Sequence, residues 1–212
     1  LYHELLRYAR DHGDLHSESH VRLGMEVNAH LIVGDPDAAQ RDVEGAIAQW
    51  TGEGFTLQHF YAERALVQID LYRGRWDDAV HRAAALWTRF NRSTIRSVAI
   101  CRALALEVLG RSLVAAPGAE DGRLRRATKI ARRLSGEGPL WTRAHAMMIQ
   151  AQAALASGDL EVAAVRFRQA GARYEDADMA IHAAAARWRL DQLMDPARGN
   201  RELESVGDLG AA

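Results

Sequence analysis

The chain has 212 residues, of which 48% are hydrophobic, and a formal net charge of −1 at pH 7. This near-neutral charge excludes a global electrostatic attraction to nucleic acid or to anionic membranes. The single cysteine, Cys101, excludes an internal disulfide and fits a reducing cytoplasm, and no apolar run approaches the ~18 residues that would indicate a membrane-spanning helix.

Apolar residues recur at every third or fourth position along most of the chain, and the four prolines fall at predicted boundaries. This spacing predicts an all-α protein. The predicted helices cover 1–12, 16–33, 36–52, 56–73, 76–91, 93–115, 120–136, 139–156, 159–175 and 177–194. We expect a single helical domain over 1–195 and a polar, partly disordered tail over 196–212. Because the chain begins inside a predicted helix without an initiator methionine, we interpret it as a piece of a longer protein.

Three predicted turns share one internal pattern, which begins at Gly34, Gly74 and Gly158. Residues two, five, nine and twelve positions later are Pro36, Ala39, Val43 and Ala46, then Trp76, Ala79, Ala83 and Leu86, then Leu160, Ala163, Phe167 and Ala170. The small alanine at the second position favours close approach of two helices, and the last two positions share one helix face. This pattern is similar to the second-helix half of the tetratricopeptide repeat.

The repeat spacing is longer than in that family, whose usual unit is ~34 residues. Gly34 and Gly74 are 40 residues apart, and Gly74 and Gly158 are 84 apart, or twice 42. We therefore predict a right-handed α-solenoid of about four tetratricopeptide-like hairpins with an additional helix at each end.

Three histidines at intervals of four, His12, His16 and His20, are the first candidate for chemistry. Gly13 is expected to break the helix after His12, which leaves one histidine pair without the third ligand that zinc usually needs. A solvated helix start is favoured over a metal site, although a metal-dependent enzyme stays open as an alternative on these residues alone.

A basic stripe is the second candidate. Arg125, Lys129 and Arg132 lie on one face of the predicted helix 120–136. A solvated outer face is the favoured interpretation, contact with an acidic partner is the next, and nucleic-acid binding is disfavoured because no aromatic residues are interleaved.

The stretch LQHFYAER, residues 57–64, is the third candidate, because His59 and Glu63 are four residues apart and could pair across one helical turn. No nucleophile lies beside them in the sequence. The favoured interpretation of this stretch is therefore core packing, the second is a binding surface, and the third is catalysis. Cys101 is expected to be a small buried hydrophobic residue. Phosphate-loop, H-E-x-x-H, G-x-S-x-G, C-x-x-C and kinase motifs are absent from the sequence. We therefore expect this chain to lack catalytic residues and to need no cofactor.

Several longer blocks resemble the C-terminal helical-repeat region of large bacterial serine/threonine protein kinases of the myxobacterial type. They include GFTLQHFYA at 54–62, QIDLYRG at 68–74, RSTIRSVAICRALAL at 92–106 and YEDADMAIHAAAARWRLDQL at 174–193. The resemblance implies a kinase domain N-terminal to the repeats, with ATP and Mg bound in that domain and a role in signal transduction. None of the kinase motifs occurs in this chain.

These observations together predict a non-catalytic interaction domain that binds a protein or peptide partner, or a second copy of itself. The expected partner-binding residues lie on the first helix of each hairpin: Gln58, His59, Arg64, Arg96, Arg143 and His145. The alternative is a ligand-sensing arm of a signalling ATPase or of a transcriptional regulator.

Overall fold

The computed structural model describes residues 2–195, and these residues form helices with no β-strand among them. This confirms the all-α prediction. The predicted tail over 196–212 lies outside the described residues. None of the described helices has the length and apolar character needed to cross a membrane.

The chain divides into two compact units, one within Leu1–Ala116 and one within Pro117–Ala212. The sequence pattern predicts one domain over 1–195 and does not mark this division. The boundary falls in the glycine-containing loop that follows residue 115. The helices of the first unit are α1 (Tyr2–Asp11), α2 (Leu15–Val21), α3 (Val27–Ile32), α4 (Pro36–Gln49), α5 (Leu57–Tyr72), α6 (Trp76–Asn91) and α7 (Ala99–Ala115), and those of the second are α8 (Asp121–Leu134), α9 (Leu140–Ala156), α10 (Leu160–Asp176) and α11 (Ala180–Met194).

Helices that are consecutive in the chain pack on one another within each unit. In the first unit α3 contacts α4, α4 contacts α5, α5 contacts α6, and α6 contacts α7. In the second unit α9 lies between α8 and α10, and α10 also contacts α11. Each unit is therefore built mainly from neighbours along the chain.

The turns that precede α4 and α10 are built from the same two residues, a glycine followed by an aspartate. Gly34 and Gly158 have φ of 80° and 83°, in the left-handed region that L-residues with a side chain rarely adopt. The next residue caps the new helix: Asp35 accepts a hydrogen bond from Ala38 N at 2.8 Å, and Asp159 accepts one from Val162 N at 3.1 Å. Each dipeptide thus ends one helix and starts the next.

Three of the four repeat positions read from the sequence are core positions in the structure, whereas at the first position Pro36 and Trp76 are half-buried and Leu160 is 54% exposed. The residues five, nine and twelve positions after Gly34, Gly74 and Gly158 are all at most 3% exposed, and they are Ala39, Val43 and Ala46, Ala79, Ala83 and Leu86, and Ala163, Phe167 and Ala170. The predicted burial of these positions on α4, α6 and α10 is therefore confirmed. Cys101 is also fully buried, as expected.

Two predicted helices differ in detail from the structure. The helix predicted over 16–33 contains a π-helical turn, Arg22–Glu26, between α2 and α3, and the helix predicted over 93–115 begins at Ala99 after a 3₁₀ turn, Thr94–Ser97. The π turn carries Arg22, whose buried guanidinium donates to the Asp42 carbonyl oxygen on α4 at 3.2 Å. α4 leaves room for it, since a Cβ on Gly45 would lie 2.8 Å from Arg22 Nη2.

Candidate functional site

An open groove of about 1010 Å³ lies on the second unit. One wall is α8, the other includes the start of α10, and the second half of α9 contributes small side chains. The lining residues are Asp121, Leu124, Arg125, Arg126, Thr128, Lys129, Arg132, Gln150, Ala153, Ala154, Ser157, Val162 and Arg166. All three residues of the basic stripe predicted from the sequence therefore lie in this one groove, which we call the basic groove.

The helical period explains how α8 presents its charges. Leu124, Ala127, Ala131 and Leu134 form its buried face. Arg125, Lys129 and Arg132, at intervals of four and three, lie on another face and are exposed. Since the apolar face of α8 is fixed against α9, its cationic face is held open toward the groove.

Four cations of α8 line the groove without a neighbouring acid in the described part of the chain to neutralise them. Among the described residues, Arg125, Arg126, Lys129 and Arg132 make no side-chain ion pair, and Arg166 Nη1 donates to the amide oxygen of Gln169 at 3.0 Å. The groove lining carries five basic side chains and a single acidic one, Asp121. Many arginines of the first unit, by contrast, have carboxylate partners, and these include Arg10, Arg22, Arg73, Arg75, Arg82 and Arg89.

Two of the predicted partner-binding residues on α5 are used inside the fold, Gln58 in a contact with α2 and His59 in the cap of α5 itself. Gln58 is 5% exposed, and its Nε2 donates to His16 Nδ1 at 2.8 Å. This corrects the expectation that Gln58 offers a partner an open surface. His59 Nδ1 accepts from the Thr56 hydroxyl at 2.8 Å and caps the first turn of α5.

The hypothesis of a His59–Glu63 pair is wrong in this structure. Glu63 instead accepts from Arg89 on α6 at 2.7 Å and lies 3.8 Å from Arg82. The Nδ1 atom of His59 is already hydrogen-bonded to Thr56. An interval of four residues permits a pair within one helix. Here Thr56 at the start of α5 and arginines on α6 are the actual partners of His59 and Glu63.

Arg64 is also a packing residue. Its guanidinium reaches across to Glu107 on α7, 4.0 Å away. Burial lowers the pKa of Arg64, and the Glu107 carboxylate opposes that shift. Arg64 Nε is buried without a hydrogen-bond partner among the described residues. The side chain is therefore directed toward α7 rather than toward solvent.

The other three predicted residues lie apart. Arg96 is exposed on the 3₁₀ turn, and Arg143 is exposed near the start of α9. His145 forms a 2.8 Å hydrogen bond with the Tyr174 hydroxyl and stacks edge-on against Trp141 and His182. The six residues are divided between the two units, and none of them lines the basic groove.

The three histidines near the N-terminus do not converge. His12 stacks on Tyr8, His16 bonds to Gln58, and His20 packs edge-on against Tyr61. Each ring therefore faces a different neighbour.

A different cluster brings metal-ligating groups together. Glu26, at the end of the π turn, and His30, on α3, are four residues apart and lie beside Asp42 on α4. One ligand atom from each lies within 4.8 Å of the others. Burial, and then the Asp42 charge, raise the pKa of Glu26. The signal in the sequence was the Glu26–His30 interval, which was missed because Asp42 comes from the next helix.

No protein-family model, curated protein or solved structure matches this chain.

Proposed function

We propose that this chain is a non-catalytic protein-interaction domain whose second unit binds an acidic segment of a partner protein in the basic groove. The observation that carries the proposal is the row of unpaired cations, Arg125, Lys129 and Arg132, exposed on one face of α8 with Arg166 also lining the groove. Such a row favours a ligand with several negative charges in sequence.

The groove suits a peptide better than a small molecule. Its volume, about 1010 Å³, is at the upper end of the range of about 300–1,000 Å³ that is typical of small-molecule pockets. Val162, which is 44% exposed, and the half-buried Ala154 supply apolar contact beside the charges. A peptide that alternates acidic and apolar side chains satisfies both kinds of surface.

A nucleic acid is a poorer fit to the same groove. Single strands are held by aromatic side chains on which bases stack, and no aromatic residue lines this groove. The formal net charge of −1 for the chain also lacks the basic excess that nucleic-acid-binding domains usually carry.

Binding in the groove would use exposed charges, and this limits its strength. Arginine pairs a carboxylate through two parallel hydrogen bonds, but an exposed pair contributes only about 0–1 kcal/mol. Four or five such pairs give a modest, salt-sensitive affinity. This is appropriate for a reversible regulatory contact.

The proposal also includes the type of helical repeat and the kind of parent protein. We propose that the hairpins of each unit are tetratricopeptide-like, as in an α-solenoid, because the buried positions repeat in register after three turn glycines. We also propose a parent protein that is a bacterial serine/threonine kinase, which the sequence blocks support. A kinase domain in the upstream coding sequence would agree, whereas an ATPase or DNA-binding module would favour the sensor-arm alternative.

The partner class is tested by fluorescence polarisation with three labelled probes of equal length. The probes are a peptide that alternates glutamate and leucine, one that alternates lysine and leucine, and a single-stranded DNA. We expect the acidic peptide to bind, with affinity that falls between about 50 mM and about 200 mM salt as the Debye length shortens. Preference for the DNA or the lysine peptide would contradict the proposal.

A further inference from the structure

Three residues of the first unit form a compact set of metal-ligating groups that the basic groove does not involve. Glu26 ends the π turn, and His30 lies one helical turn later on the same face. The chain then reverses at Gly34, and α4 returns so that Asp42 lies opposite both. The hairpin therefore assembles one imidazole and two carboxylates from two packed segments.

The distances within this set are close to those that an ion requires. His30 Nε2 and Asp42 Oδ2 are 2.7 Å apart, and the three ligand atoms all lie within 4.8 Å of one another. Two ligands at 2.0–2.1 Å from a tetrahedral zinc ion stand about 3.3 Å apart. To hold an ion, the His30–Asp42 separation would lengthen by about 0.6 Å to reach this value, with the Glu26 oxygen already within 4.8 Å of both.

Arg22 already orients the Asp42 side chain. Arg22 Nη2 lies 3.6 Å from Asp42 Oδ1, the oxygen that does not contact His30, and it also donates to the Asp42 carbonyl oxygen. Oδ2 is thereby left directed toward His30. An outer residue that fixes a ligating carboxylate in this way is typical of built metal sites.

The Glu26 carboxylate supplies an independent reason to expect a ligand. The residue is half-buried, and its Oε2 atom is shielded from solvent without a hydrogen-bond partner among the described residues. A shielded carboxylate oxygen without a hydrogen-bond donor raises the free energy of the folded state. The nearby Asp42 carboxylate also repels the negative charge of Glu26. A cation between the two would satisfy the oxygen and remove the repulsion.

We propose that Glu26, His30 and Asp42 bind a first-row divalent cation such as zinc, with water in the remaining coordination positions. One imidazole nitrogen and two carboxylate oxygens are ligands that zinc accepts, and the imidazole disfavours magnesium and calcium. His30 would bind through Nε2, with its ring proton on Nδ1. The ion would join the π turn and α3 to α4, so it would stabilise the first hairpin.

The test is isothermal titration of zinc sulfate into the full chain, after removal of any purification tag and treatment with EDTA. We expect one ion per chain and a rise of several degrees in the melting temperature when zinc is present, because a ligand of the native state stabilises it. Glu26→Gln, His30→Gln and Asp42→Asn should each weaken zinc binding by about tenfold or more. His81→Gln, which changes an exposed histidine on α6, should bind zinc like the unaltered chain.

Far-UV circular dichroism of each variant separates loss of binding from loss of fold. If Asp42→Asn reduces the helix content, Glu26→Gln decides the question, because Glu26 Oε2 has no partner whose loss would unfold the hairpin. The proposal is overturned if the chain takes up no zinc, or if the three cluster variants bind it like the His81→Gln control. It is equally overturned if His16→Gln with His20→Gln abolishes binding while Glu26→Gln leaves it unchanged.

Discussion

At the turn between α5 and α6, the Asp70 carboxylate is 2% exposed and pairs with two arginines. Asp70 Oδ1 accepts from Arg75 Nη2 at 2.6 Å, and Oδ2 accepts from Arg82 Nε at 2.9 Å. This turn lacks the aspartate cap of the other two, since Arg75 stands at that position. The buried Asp70 carboxylate, paired with two partly exposed arginines, therefore connects α5 to the start of α6.

Replacing Asp70 by asparagine should therefore destabilise the protein by about 1–3 kcal/mol, because a buried carboxylate loses its charge and one of its two acceptor oxygens. The measurement is the free energy of unfolding in urea. Glu53→Gln, the same chemical change in an exposed loop, should stay within about 0.5 kcal/mol of the original value. Equal effects of the two substitutions would show that Asp70 does not fix the turn.

Cys101 allows a test of burial and pH. Burial raises the pKa of its thiol, so at pH ~8 the folded protein has less reactive thiolate than the unfolded chain. We expect slow labelling by a disulfide reagent in the native state and rapid labelling in urea. Because the unfolded thiol ionises first as the pH rises, stability should also fall above pH ~8.5. Rapid native labelling would contradict the burial.

The polar contacts of single residues were the least predictable part of the molecule. Gln58 and His16 are 42 positions apart, and their hydrogen bond depends on how α5 packs on α2. The hydrogen bond between His30 and Asp42 depends in the same way on how α3 packs on α4. Periodicity reports which face of a helix is apolar, but it does not say which polar group another helix places opposite.

At the scale of helices, sequence patterns predicted a feature correctly where the residues that determine it are close together in the chain. The turn glycines and the buried alanines that follow them were predicted, because a Gly-Asp turn and a helical period act within about ten residues. The π turn at Arg22–Glu26 was not predicted, since the groups that Arg22 meets lie on α4.

Two glycine substitutions test the turn directly. A Cβ added to Gly158 or to Gly122 would meet nothing within 4 Å, but only Gly158 has a positive φ, 83°. Gly158→Ala should cost about 1–2 kcal/mol from left-handed strain. Gly122→Ala, in the first turn of α8, should be neutral or stabilising by up to about 1 kcal/mol. The comparison uses urea unfolding, and a stabilising Gly158→Ala would contradict the turn geometry.

At the scale of the whole molecule, the two compact units were not anticipated, because the repeat register runs through both. Sequence spacing does not report whether the helices on either side of the loop before α8 pack on one another. The basic stripe on α8 was likewise visible, whereas Arg166, on α10 and part of the same groove, could not be assigned to it from helical period alone.

The two units should fold separately. We expect fragments 1–116 and 117–212 each to show helical circular dichroism and a cooperative thermal transition, since each has its own contacts. A cut at 74/75, in the turn between α5 and α6, is the control and should give unfolded or aggregated fragments, because it exposes the core between two packed helices. Unfolded fragments from the cut at 116/117 would show that the units depend on each other.

The most direct test of the central claim compares two double variants in binding to the glutamate–leucine peptide. Arg125→Gln with Lys129→Gln removes two groove charges, and Arg143→Gln with Arg168→Gln removes two exposed charges of the same unit outside the groove. We predict that the first variant loses about tenfold in affinity, or about 1.4 kcal/mol, while the second binds as the unaltered chain does. Equal binding by both variants, or a larger loss in the second, would contradict the basic groove as the binding site.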